Sequence, residues 1–238
     1  MSTLTGRLAV RRNRIWARSF LTYHYLWPNI EAAIGRARQA IASENPVVLD
    51  VGCGERPYED LFSGCTYWGL NYGTEHASPD LVGTALALPI RDAGVDLVFA
   101  TQVIEHLPDP WKFLAECARV LRPGGRLVLT GPLFWPLHEE PHDYFRFTKY
   151  GFAELVRRFG LELLELREDG GNWAMIGQAV ALNLPAWLRP AVPVTNLVFL
   201  ALDRIDYRTG STMNYTLVAG KGKVEASDEF AMAPAARL

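Results

Sequence analysis

Residues 47–52, VVLDVG, form a short, almost unbroken apolar run closed by a glycine. A run of this length, bounded by turn residues, reads as a strand buried on both faces, and such strands belong to parallel sheets covered by helices. The same kind of run returns along the chain: TYWGLN (66–71), a shorter PDLVG (79–83), VDLVFA (95–100), RLVLTG (126–131), LELLELRE (161–168) and NYTLVAGK (214–221). Helical patterns separate them. Asp109-Pro110 opens a helix with Phe113, Leu114, Cys117, Val120 and Leu121 on one face, stopped by RPGG at 122–125. Thr148 caps another, with Phe152, Leu155, Val156 and Phe159 inward and Gly160 at its end. Strands alternating with helices imply right-handed crossovers and a mostly parallel sheet.

Residues 1–45 read as a helical segment. Trp16, Phe20, Tyr23 and Trp27 form one apolar stripe, and Pro28 opens a second helix with Ile30, Ile34, Ala37 and Ile41 inward. Residues 172–211 are long for a connection. They carry WAMIGQAVALNLPAWL and VTNLVFLALDRI, two apolar helices broken by Pro185, Pro190 and Pro193. The first reading of this insert is a helical lid packed on the core. A second is contact with a membrane surface or with a second copy, in which residues 1–30 join through Arg7, Arg11, Arg12, Arg14 and Arg18. The expected organisation is therefore a helical segment (1–45), an α/β domain (46–220, with the insert at 172–211) and a loose tail (221–238).

The chain's net charge of −2 gives no overall field toward nucleic acid, and none is expected as a partner. Its three cysteines include no CxxC pair and are too few for a disulfide framework, which points to a reducing, cytoplasmic compartment. The basic start lacks the apolar core of a signal peptide, and no membrane-spanning run is evident. The sequence carries no signature of oligomeric state.

A glycine turn at the carboxyl edge of a parallel strand is where open α/β sheets bind ligands. A dinucleotide would need a third glycine beside the pyrophosphate, but the string runs Gly52-Cys53-Gly54-Glu55-Arg56-Pro57. Proline holds the third place and Glu55 would repel phosphate. S-adenosylmethionine (SAM) has no phosphate; Asp50 can answer its ammonium, and Gly52 offers a carbonyl without a side chain in the way.

The successive motifs VLDVGCG, YWGLN, DLVGTALALPIRDAGVDLVFATQVIEHLPDP and RVLRPGGRLVLTGP are similar, over roughly residues 46–168, to those of class I SAM-dependent methyltransferases of the type 11 kind. The resemblance implies a seven-stranded, mostly parallel Rossmann-like sheet with helices on both faces and an antiparallel last strand. It implies cofactor contacts from Asp50, Gly52, Cys53 and Gly54. Asn71 stands where the family carries a ribose-binding acid, with Tyr72 beside it against the adenine. Losing that charge should weaken SAM binding by about 1 kcal/mol. Thr84 replaces a second acid of the family, while Ala85 and Leu86 keep backbone and apolar contacts. Thr101, Gln102 and Val103 should line the methionine end. His106 matches a family position near the reaction centre.

After the fifth strand comes PLFWPLHEEPHDYFRFT (132–148), which contains an H-E-x-x-H string. A zinc protease would need both histidines on one helix face, but Pro136 and Pro141 bracket the stretch and oppose a helix. A looser divalent site from His138, Glu140, His142 and Asp143 is the alternative, and a metal-free loop is the expectation. The loop also resembles a family variant that modifies sugars, glycans or small natural products. It should then present a small-molecule or sugar acceptor, with methyl transfer at oxygen. His142 is the first candidate base, with Asp143 orienting it or acting itself, and His138 is second. Glu140, Tyr144 and Arg146 are candidates for binding substrate, and Asp143–Arg146 pairing is the competing structural role. The rival class is a SAM-fold scaffold without catalysis.

Overall fold

The computed structural model describes residues 14–74 and 79–222. Residues 223–238 of the expected tail, and Arg7, Arg11 and Arg12, lie outside them, while Lys221 ends the last strand. Seven strands make one sheet: β1 (Val47–Val51), β2 (Thr66–Asn71), β3 (Leu81–Val82), β4 (Val95–Thr101), β5 (Leu121–Pro132), β6 (Leu161–Asp169) and β7 (Asn214–Lys221), in the order β3-β2-β1-β4-β5-β7-β6. Strands β1 to β5 pair in parallel, and β7 runs antiparallel between β5 and β6. The helices are α1 (Phe20–Gln39), α2 (Pro110–Val120), α3 (Lys149–Arg158), α4 (Asn172–Asn183) and α5 (Val192–Ile205).

The strand pleat divides the core. Leu49, Val98, Leu127 and Leu129 face one side with Phe113, Leu114, Phe152 and Val156 from α2 and α3. Their neighbours Val48, Leu97, Phe99 and Val128 face the other, against Leu26, Ile30, Ala33, Ile34 and Ala37 of α1. Both faces are dry, which is why β1 and β4 read as continuous apolar runs. Helix starts follow the expected caps: Asp109 accepts from the Lys112 amide at 2.9 Å, and Thr148 from the Gly151 amide at 3.1 Å.

Three expectations change. Pro28 lies inside α1 instead of opening a second helix. It removes one backbone donor, but the buried row from Leu26 to Ala37 holds both halves against the sheet. Trp16 does not join the apolar stripe and is 67% exposed. In the insert, Pro193 sits in the first turn of α5, where its missing N–H costs nothing, so it starts that helix and does not break it.

The insert is tied to the chain's beginning by polar bonds. Asn196, fully buried, donates to the Ile15 and Ala17 carbonyls at 2.7 and 3.0 Å. Gln178 accepts from the Thr22 amide and hydroxyl. Asp203 accepts from Tyr25 and from the Gly171 and Ala174 amides at the head of α4. Its outer face leaves Trp187, Val194, Leu197 and Ile205 exposed. Among the described residues, no helix is long and apolar enough to cross a membrane.

Candidate active site

The carboxyl ends of β1 and β4 border a cavity of about 250 Å³ lined by Asp50, Gly52, Cys53, Gly54, Thr101 and Gln102, with Tyr23 and Tyr58. The turn after β1 is built from left-handed residues: φ is +73° at Gly52, +48° at Gly54 and +56° at Arg56. Gly52 is required twice over, since a Cβ there would lie 2.4 Å from the Val103 side chain. Gln102 also takes a positive φ, and its side chain donates to Thr130 Oγ1 at 3.0 Å, which fixes the end of β4.

Asp50 is buried at the cavity wall and accepts a hydrogen bond from the Tyr67 hydroxyl. Burial pushes its carboxyl up to about 7, against the Tyr67 hydroxyl and Arg56, which pull it down. Glu55 lines the cavity too, and no lysine, arginine or histidine does. Two carboxyl groups around a bare glycine turn suit a ligand with a cationic end and repel a pyrophosphate. The residues present therefore fit SAM.

Not every expected cofactor residue reaches this cavity. Asn71 Nδ2 donates to the Gly73 carbonyl within its own turn, and Tyr72 is 85% exposed. Thr84 Oγ1 accepts from the Leu86 amide, and Ala85 is buried in the core. Val103 packs on Gly52 from outside the lining. Tyr23, Leu26 and Tyr58 were not expected there. The apolar stripe that contains Tyr23 was the only signal, and it did not say which end of the sheet that helix covers.

Residues 133–148 contain neither helix nor strand, so the H-E-x-x-H string has no helix face to share. The loop is seated on the short turn Ile104–His106 that follows β4. The Tyr144 and Phe145 amides donate to the Glu105 carbonyl at 2.8 and 3.3 Å, and His106 Nδ1 bonds the His142 carbonyl at 2.7 Å. Asp143, with a side chain 1% exposed, takes a bidentate pair from Arg146, which holds its carboxyl well below the usual range. Arg146 also donates to the Phe145 and Trp135 carbonyls. The competing structural role assigned to this pair is therefore the geometry found. Arg146 is engaged within the loop and does not point a free fork at substrate.

Asp143 also lies beside His138, not His142: its Oδ2 is 3.2 Å from His138 Nδ1 and accepts from the His138 amide at 3.1 Å. His142 is exposed and shares a 3.0 Å hydrogen bond between Nδ1 and the Tyr144 hydroxyl. Glu140 is exposed on the same loop. The residue that sequence reasoning missed is Glu105. It is fully buried, and burial pushes its carboxyl up to about 8.

Residues 49–129 match a protein-family model described as "Methyltransferase domain". A Mycolicibacterium smegmatis protein named "Probable S-adenosylmethionine-dependent methyltransferase" is 37% identical over half of this chain and 49% of its own length. An uncharacterized methyltransferase of Mycobacterium tuberculosis (strain ATCC 25618 / H37Rv) is 35% identical over 72% of this chain and 81% of its own length. Among solved structures, the methyltransferase bound to the Haloferax volcanii Trm112 activator covers 89% of this chain and 96% of itself, with a TM-score of 0.57 and 20% identity. A geranyl diphosphate C-methyltransferase from Streptomyces coelicolor A3(2) covers 80% of this chain and 78% of itself, with a TM-score of 0.53 and 13% identity. These two are likenesses of fold.

Proposed function

The chain belongs to the class I SAM-dependent methyltransferases, and on that premise we propose that it methylates a hydroxyl oxygen of a small-molecule or sugar acceptor held by the loop after β5. The observation that carries this reading is the seating of that loop. Its amides bond to the Glu105 carbonyl, three residues beyond the cavity-lining Gln102. Whatever the loop binds is thereby held at a fixed distance from the cofactor cavity.

SAM, when bound, would supply a methyl group on a sulfonium, so that an O–C bond to an acceptor oxygen forms in line as the C–S bond breaks and the neutral thioether leaves. The chain's own part is positioning and proton removal. Asp50 and the Gly52–Gly54 backbone hold the amino acid end of the cofactor, and Thr101 and Gln102 flank it. Glu140 and Tyr144, both exposed, offer an acceptor and a ring face to the incoming hydroxylated molecule. His142 takes the hydroxyl proton at Nε2. That role requires the tautomer in which Nδ1–H donates to the Tyr144 oxygen. The Asp143–Arg146 pair stiffens the loop, so the acceptor is aligned before it reacts.

Incubation with labelled SAM and a panel of hydroxylated acceptors, read by product mass, tests the activity. His142→Ala should lower turnover at least about a hundredfold, the size of a general-base contribution, with SAM affinity unchanged. Full turnover in that variant would remove the base assignment. SAM binding without product from any acceptor class would favour the scaffold reading.

A further inference from the structure

A second cluster of chemistry-bearing groups lies under the loop after β5, apart from the cavity lining. Glu105, His106 and His138 each offer a ligand atom, all within 4.8 Å of one another. The Glu105 side chain is 0% exposed, and neither carboxylate oxygen accepts a hydrogen bond from another residue. A buried, unsatisfied carboxyl is costly and calls for a partner. The nearby cation is not that partner, because Arg146 is engaged by Asp143 and by two backbone carbonyls.

The spacings suit an ion. His106 Nε2 stands 3.8 Å from Glu105 Oε1 and 3.9 Å from Glu139 Oε2. These are too long for hydrogen bonds, yet within the span of two ligands each about 2.1 Å from a shared metal. Both imidazoles are also oriented from behind. His106 Nδ1 faces the His142 carbonyl at 2.7 Å, and His138 Nδ1 faces the Pro136 carbonyl and Asp143 Oδ2, each at 3.2 Å. Carbonyls only accept, so each Nδ1 donates and the lone pair sits on Nε2. A carbonyl or carboxylate behind the ring is how ligating histidines are held.

We propose that Glu105, His106 and His138, with Glu139 at the mouth, bind one divalent first-row metal ion whose open positions take oxygen atoms of the methyl acceptor. Two imidazoles and two carboxylates form a mixed N/O set, which suits Zn²⁺, Mn²⁺ or Co²⁺ better than Mg²⁺ or a thiolate-seeking ion. Metal binding stands on this geometry alone, while its service to the acceptor rests on the methyltransferase reading.

The test is Co²⁺ titration of the chelator-stripped full chain, followed by calorimetry and visible absorption, with SAM binding measured on the same samples. One equivalent should bind. Glu105→Gln and the loop variant His138→Ala should each weaken Co²⁺ by more than about tenfold, since even outer partners of such sites are worth 10–100-fold. SAM affinity should be unchanged in both. His138 lies in a loop without secondary structure, so that variant separates loss of a ligand from loss of the fold. SAM binding without Co²⁺ uptake, or equal uptake by both variants, overturns the metal site and leaves the methyltransferase reading standing. Variant-sensitive Co²⁺ uptake without SAM binding does the reverse. Methyl transfer that persists in excess chelator overturns the acceptor role.

Discussion

Asp50 shows how one buried side chain links fold and chemistry. Its carboxyl, pushed up to about 7 by burial, carries a proton half the time near neutrality. A ligand with an ammonium end favours the ionised form, so binding below that value must expel the proton. SAM affinity should therefore rise by about tenfold between pH 6 and pH 8, the limit set by a single proton with this pKa. Asp50→Asn should bind more weakly and lose that component of the pH profile. Identical profiles in the two proteins would show that Asp50 does not face the ammonium. The place of Asp50 at the cavity wall was legible in the sequence because it follows an apolar run and precedes a glycine turn. Glu105 was not. The letters IEHL read as a helix start, and no periodicity reveals that an acid is fully buried with nothing to bond. Asn71 and Thr84 were placed by resemblance, yet each bonds within its own turn.

Among the elements, the loop between β5 and α3 is braced from within by one ion pair, in addition to its bonds to the Ile104–His106 turn. Asp143 is buried and Arg146 half-buried, so removing one partner strands the other. Asp143→Asn should destabilise the protein by about 2–4 kcal/mol at pH 7, read as a lowered urea midpoint. The sign with pH follows from the depressed carboxyl. The pair's contribution is complete above the ordinary aspartate value and is lost as pH falls through the folded one, so the variant and the parent should converge in acid. Equal midpoints at pH 7 would show that the pair is idle. Strands β1 and β4 were legible because burial on both faces leaves continuous apolar runs, and β7 begins and ends where the sequence indicates, whereas β5 starts at Leu121, taking in the RPGG read as a helix stop, ahead of the expected 126. Pro28 misled because a proline's local cost is smaller than the packing of the row from Leu26 to Ala37, which only the tertiary structure displays.

Across the molecule, the two helical additions form one body with the sheet. Helices α4 and α5 share a core cluster with Leu21 and Met213, and Asn196 bridges from α5 to the carbonyls before α1. Asn196→Ala leaves two carbonyls without their donor and should cost about 1–3 kcal/mol, a fall of several degrees in Tm. An unchanged Tm would mean that the insert is held by its apolar contacts alone. The insert's helices could be read from the sequence, but their docking site could not, because the bonds that set it join residues more than 150 positions apart. The proposed methyl transfer requires a cofactor lying between the Gly52–Gly54 turn and Gln102, with its sulfur toward the 133–148 loop. A crystal structure with S-adenosylhomocysteine tests this most directly. The amino acid end should lie at Asp50 and Gly52 and the sulfur on the side of Glu105, His138 and His142. Density in another crevice, or a sulfur turned away from that loop, would contradict it.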